Sequence, residues 1–323
     1  MEKRIGWIDN ARGLCMLFVM AHHSPFMEAW MVKIYLPIFL TLFFFISGYL
    51  FVNPNKHVSV QQKALNIFTS LLIPYCIYIL ITSIFNLLTG GFDAFLADIS
   101  DSLLGVKSWF VSALIVTELL GLLILFCKVN RVILCIIFIS ISLAIYILLP
   151  YQEYYWNFRN AMFANLYFGI GMICRQYNVV TYLLKNNVGV VMSLVYVCLI
   201  IFDVAYNVNT GNFNETFTNY PFFIIESLIG IPAFIWLCSK ITHYNKGLLF
   251  IGANSLLYYY FQSVFIRAIL TCLDKLGLHF PNYIGIWIFL LFICVGIAIP
   301  VYFINKYFPI FSGKYRIKIP GDK

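Results

Sequence analysis

Apolar runs of about bilayer length recur along the whole chain, separated by short polar breaks. A transmembrane helix needs about 20 mostly apolar residues. Runs at 11–31, 34–52, 65–88, 108–127, 131–150, 161–175, 187–207, 220–239, 247–272 and 284–307 meet or approach that length. The sixth is short and is expected to begin a few residues earlier or to cross obliquely. In lipid every backbone polar group must be satisfied internally, so apolar segments of this length predict helices. The expected fold is therefore all-α, a polytopic membrane bundle of about ten transmembrane helices. Connections are short, without a linker, a low-complexity tract or a visible repeat. One membrane-embedded domain over 1–323, with no appended soluble domain, is expected.

Composition excludes the alternatives. The chain is 62% hydrophobic and 11% charged, against about 25% charged in an ordinary soluble domain. A water-soluble globule of this size must still present a polar outside. Nine cysteines stand singly in apolar runs with no CxxC spacing, which suits packing and predicts neither a disulfide framework nor a metal site. The net charge of +8 comes without a basic run or a basic-aromatic platform, so no nucleic-acid partner is expected. Topology accounts for it instead. With the N-terminus cytoplasmic, only Lys33, Lys107, Arg159, Arg267 and Lys275 of the 21 Lys and Arg fall outside. The remaining 21 − 5 = 16 fall inside, as the positive-inside rule requires. Both termini are expected in the cytoplasm of a multi-pass cell-membrane protein.

Ionisable residues inside the apolar runs are the candidates for chemistry, because a charge at the membrane centre costs about 2.5–3.5 kcal/mol on insertion scales. The first run carries Arg12, His22 and His23. It does not read as a cleaved leader, since Leu14–Ala21 is followed by two histidines and Pro25 rather than a small-residue cleavage site. An offset of eleven residues returns to within about 20° of the same helical face and climbs about 16 Å. Arg12 and His23 therefore share a stripe, and His22 faces elsewhere. The pattern suits a functional pair; it equally suits an interfacial anchor with hydrogen-bonded bundle histidines. Glu118 and Glu226 lie within the fourth and eighth runs and are functional candidates for the same energetic reason.

Four motifs carry a resemblance. The chain opens with Ile8-Asp9-Asn10-Ala11-Arg12-Gly13, followed by His23. It continues with Phe43-Phe44-Phe45-Ile46-Ser47-Gly48-Tyr49-Leu50, Trp109-Phe110-Val111-Ser112-Ala113-Leu114 and Ile251-Gly252-Ala253-Asn254-Ser255-Leu256. In this order they resemble the acyltransferase-3 family of integral membrane O-acyltransferases, nearest to its sugar O-acetylases. Two departures stand out. Gln262 occupies a region where members often carry His, and Lys63 is the one cation in Gln61–Asn66, where many members have several arginines.

The resemblance implies transfer of an acetyl group from acetyl-CoA, with no tightly bound cofactor, to a sugar hydroxyl of a cell-surface or lipid-linked glycan. Such a reaction needs a base for the hydroxyl proton and stabilisation of developing negative charge. It implies His23 as the base and Arg12 as the anion anchor, with Asp9, three residues earlier, available to pair with Arg12. Substrate contacts fall on Ser47, Gly48, Lys63, Trp109, Glu118, Asn254 and Ser255. Ser47-Gly48 also suits close helix packing, Trp109 an interfacial aromatic belt, and Asn254 and Ser255 bonds between helices. The rival from another class is a transporter or flippase for a lipid-linked saccharide, against which stands the absence of a visible inverted repeat.

Overall fold

The computed structural model describes residues 5–54, 59–127, 130–209, 218–241, 245–278, 280–315 and 317. Among the described residues there are thirteen α-helices and no strand. In order they are α1 (Gly6–His22), α2 (Ala29–Phe51), α3 (Val60–Ile67), α4 (Ile73–Leu103), α5 (Trp109–Phe126), α6 (Arg131–Leu148) and α7 (Phe158–Gln176). There follow α8 (Val179–Leu183), α9 (Asn186–Tyr206), α10 (Tyr220–Lys240), α11 (Lys246–Ala253), α12 (Ser255–Lys275) and α13 (Asn282–Tyr307). The protein is an all-α polytopic membrane bundle, and among the described residues eight helical segments are long and apolar enough to cross a membrane. The two expected spans outside that set are α1 and α7.

Helix α1, with 17 residues, is short for a span, and α7 is polar for one; burial explains that polarity. Helices α6 and α9 have only 17% of their apolar windows buried, so their side chains face lipid and must be apolar nearly all round. Helices α1 and α7 face protein instead. Of α7, most residues are buried, Arg159 and Asn165 among them; of α1, Asn10, Ala11, Gly13, Cys15 and Met16 are buried. Such helices can carry polar and small residues because their solvent is the rest of the protein.

The chain divides into two compact units, residues 1–43 with 178–303 and residues 44–177 with 304–323. The first is organised by α1. A Cβ on Gly13 would strike the Leu248 carbonyl of α11, and one on Gly252 would strike the Asp9 carbonyl of α1. The two glycines thus bring the helix backbones together, as small residues do in lipid. The Asn10 side chain donates to the Cys238 and Ile241 carbonyls at 3.1 Å each, tying α1 to the end of α10. Gly230 of α10 packs on the Tyr196 ring of α9.

The second unit is organised by α7. Gly48 meets the Phe168 carbonyl, and Gly171 meets the Phe45 carbonyl and the Tyr49 amide, so the last two turns of α2 lie backbone to backbone on α7. Gly121 of α5 packs on the Phe168 ring. Asn165 donates to Ser142 of α6 at 2.9 Å.

Three boundaries differ from the sequence expectation, each for a local reason. The first helix ends at His22, and residues 23–28 turn before α2 begins at Ala29, so 11–31 is not one span. The expected span 247–272 is broken at Asn254, whose backbone (φ −125°, ψ 19°) separates α11 from α12. The expected span 65–88 continues through a π-helical turn (Phe68–Leu72) into α4. That helix reverses at Gly91, where φ is +80°, a value only glycine adopts freely. The returning arm puts Asp98 against the outgoing one. Its carboxylate accepts from Ser83 at 2.6 Å and Asn86 at 2.6 Å and is ion-paired with Lys107.

Candidate functional site

In the first unit the opening motif and the late Ile-Gly-x-x-Ser-Leu motif meet, because Gly13 and Gly252 join α1 to α11. Asp9 and Arg12 lie half-buried one turn apart on α1. Asn254 is buried at 5% exposure and acts locally: its side chain donates to the Phe250 carbonyl at 2.7 Å, and Ser255 opens α12. The side chain thus caps the break between α11 and α12. Gln262, further along α12, is buried with its side-chain oxygen free of any hydrogen-bond partner among the described residues.

The two histidines part company at the end of α1. His22 turns inward, its ring 5.7 Å from Phe39 and its Nδ1 3.4 Å from the Tyr35 hydroxyl. Tyr35 is itself buried and stacked on Phe18 at 4.9 Å. His23 lies just past the helix, exposed, with backbone φ −89° and ψ 5°. It is therefore the residue that closes the helix. Sharing the unit is a buried ion pair: Lys33 of α2 lies 3.0 Å from Asp203 of α9 and donates to the Asn209 carbonyl at 2.9 Å. Glu226 of α10, with Lys33 and Asp203 as its charged neighbours, is 0% exposed. Neither of its oxygens has a hydrogen-bond partner among the described residues.

In the second unit, Ser47 of α2 donates to Glu118 of α5, which joins residues from the second and third motifs' helices. Beside it, Gly48 supplies the backbone contact with α7. The last turn of α2 also collects cations. Lys63 of α3 sits 4.2 Å from the centre of the Phe51 ring, and Arg175 of α7 donates to the Tyr49 hydroxyl at 3.1 Å while lying over its ring. Arg175 was legible from sequence only as one more inside charge. Its signal was its place as the terminal residue of a run that is otherwise apolar. Trp109 is half-buried as the first residue of α5, its ring 6.1 Å from that of Phe110. Ser108 before it is left-handed (φ 53°), and so are Trp156 (φ 56°) and Asn157 (φ 49°) at the start of α7. The Asn157 side chain donates to the Gly105 carbonyl at 2.7 Å and to Ser112 at 3.0 Å, which pins these strained residues together.

A helical membrane bundle with ionisable and hydroxyl groups fixed by glycine contacts defines an integral membrane protein with a polar interior, and the comparison with known families supplies its kind. The acyltransferase-3 family model, described as an acyltransferase domain, matches residues 5–304. The chain belongs to this family, and the protein is an acyltransferase. No curated protein and no solved structure matches it.

Proposed function

We propose that the protein moves an acetyl group from cytoplasmic acetyl-CoA to a sugar hydroxyl of a cell-surface or lipid-linked glycan. The observation that carries this reading is the joint between α1 and α11. It fixes a helix bearing Asp9, Arg12 and His22 by backbone contact, with His23 immediately beyond it. In the proposed reaction His23 accepts the proton of the acceptor hydroxyl as its oxygen attacks the thioester carbonyl, and CoA leaves as the thiolate. Arg12 holds negative charge, on a phosphate of CoA or on a carboxylate, through its planar fork. The sixteen-to-five excess of basic residues supports a cytoplasmic location for both termini and for the donor.

The test is transfer of labelled acetyl from acetyl-CoA by the purified protein, read by mass spectrometry of glycans from cells with and without it. A mass difference equal to an acetyl group is expected. Glycans identical in the two cells, together with no use of acetyl-CoA by the purified protein, would refute the donor and the acceptor together.

A further inference from the structure

Lys33, Asp203 and Glu226 lie together in the first unit, and the donors among them can be counted. The Lys33 ammonium has three N–H groups. It gives them to the Asp203 carboxylate at 3.0 Å, the Asp203 carbonyl at 3.2 Å and the Asn209 carbonyl at 2.9 Å. The Asp203 carboxylate also accepts from the Asn209 backbone amide at 2.8 Å. Lys33 and Asp203 thus neutralise each other, and no hydrogen on Lys33 is left for Glu226. Nearby hydroxyls are committed elsewhere: Tyr196 donates to the Ile34 carbonyl and Ser227 to the Ile224 carbonyl, each at 2.9 Å. Both Glu226 oxygens therefore stand without a hydrogen-bond partner among the described residues, and so does the side-chain oxygen of Asn209, itself buried. A structural carboxylate in this protein looks otherwise: Asp98 is clasped by Ser83, Asn86 and Lys107 at a helix corner.

Each feature narrows what completes this group. Partnerless oxygens call for a donor or a cation, not an anion. One positive and two negative charges leave one negative charge, and a buried charge without a partner is costly. A proton would cancel it but bond only one Glu226 oxygen. A sugar needs an open cleft, which a side chain of 0% exposure does not offer. No group of three His, Cys, Asp or Glu side chains suited to a metal gathers among the described residues, and the donors here are oxygen alone. Carboxylate and amide oxygens suit hard cations, and an alkali cation brings the single charge required. Helix geometry agrees. Asp203 lies in the last turn of α9, whose C-terminal end favours positive charge, with Asn209 just beyond. Glu226 stands in the second turn of α10, about 10 Å along the axis from its start, which leaves a short path from the aqueous side.

We propose that the first unit binds an alkali-metal cation between Glu226 and Asn209, beside the clasp that Lys33 and Asp203 form between α2 and α9. The cation supplies the link that Lys33 cannot, tying α10 through Glu226 to the chain that follows α9. The site is separate from the acyl donor, and its test reads no acyl transfer.

The experiment is a thermal melt of the detergent-purified full-length protein in choline chloride, with sodium or potassium chloride replacing it at constant ionic strength. Equilibrium dialysis against radiolabelled sodium counts bound ions. The midpoint should rise saturably with the alkali cation, and about one ion should bind per chain. Glu226→Gln should lose both the dependence and the bound ion, whatever its own midpoint. Asn209→Ala should weaken the apparent affinity about ten-fold or more, as loss of a supporting group at a metal site does. Glu153→Gln, at an exposed carboxylate outside the group, should keep the wild-type dependence. A midpoint equal in choline, sodium and potassium, with no bound sodium, would overturn the site. So would a cation dependence that Glu226→Gln keeps in full. A midpoint that answers to pH but to neither cation would give Glu226 a proton in place of the cation and overturn the proposal, and a response to calcium or magnesium alone would overturn the single charge. Should Glu226→Gln fail to fold, sodium binding by the wild type and its weakening in Asn209→Ala decide the matter.

Discussion

The two glycine joints use the same contact for different ends. At the joint of α1 with α11, Gly13 and Gly252 bring together backbones whose side chains include Asp9 and Arg12. The polar groups there sit along one helix and at its end. At the joint of α2 with α7, Gly48 and Gly171 bring the backbones together, while Ser47 bonds to Glu118 of a third helix and Tyr49 to Arg175 of α7. The first joint displays charge; the second ties polar groups between helices. Removing Cβ at the crossing point allows either, because a close backbone approach fixes positions without dictating what the neighbouring side chains do.

The comparison is broken most severely at the joints themselves. Gly171→Val should yield no folded protein, because the new side chain overlaps the backbone of Phe45 and Tyr49. Ordinary overpacking costs about 1–3 kcal/mol, and here the obstacle is main chain, which cannot rotate away. Size-exclusion chromatography of detergent-extracted protein reads this directly. A folded, monodisperse Gly171→Val would contradict the backbone contact.

Next comes the end of α1, where the two histidines should separate. His23→Ala should abolish transfer with a smaller drop in thermal midpoint than His22→Ala, since its exposed ring meets the His22 ring edge-on. His22→Ala should lower the midpoint while keeping activity per folded molecule, because that ring packs on Phe39 and Tyr35. Aromatic pairs of this kind contribute about 0.5–1.5 kcal/mol. Loss of activity at His22 with full activity at His23 would reverse the assignment.

A smaller effect is expected at Arg12. Lysine keeps the charge but not the planar fork, so Arg12→Lys should weaken acetyl-CoA use roughly ten- to a hundred-fold, the worth of one charge-assisted hydrogen bond. Arg12→Ala should weaken it further. If the lysine variant shows wild-type donor dependence, Arg12 serves topology and the first joint displays charge for insertion alone. The smallest effect belongs to Gly247→Ala. Its Cβ would meet only the Asn245 side-chain oxygen at 3.8 Å. The change should be silent, or stabilising by at most about 1 kcal/mol, in a thermal melt. A strong loss there would mean that α11 packs more tightly than the contact at Gly252 requires.

Much of the architecture could be read from apolar runs because lipid-facing helices must be apolar along their length. The spans expected at 131–150, 187–207, 220–239 and 284–307 fall within a few residues of α6, α9, α10 and α13. Legibility fails where the solvent of a helix is protein. The sixth run looked short because α7 spends its positions on Arg159, Asn160 and Asn165. The corner at Gly91 was invisible because Asp98 supplies locally, from a second arm, what a membrane crossing would otherwise demand. The motifs carried the candidate residues, but their pairing is a property of packing: nothing local to Ser47 specifies Glu118, 71 residues on. Arg175 was missed for the same reason, since its partner Tyr49 lies 126 residues away.

The bond from Asn10 to the Cys238 carbonyl spans 228 residues, and it sets a timetable for biogenesis. Chains emerge from the ribosome at about 5–20 residues per second, so α1 waits on the order of ten to forty-five seconds for the end of α10, and longer for α11. The corner at Gly91 has no such wait, since Ser83 and Asp98 are 15 residues apart and can meet within seconds. The helix that bears Arg12 is thus made first and completed late. Through that interval its glycine and asparagine have none of their final neighbours from α10 and α11. Assembly of the first unit is therefore ordered by synthesis: it closes around its oldest helix only when the last third of the chain arrives.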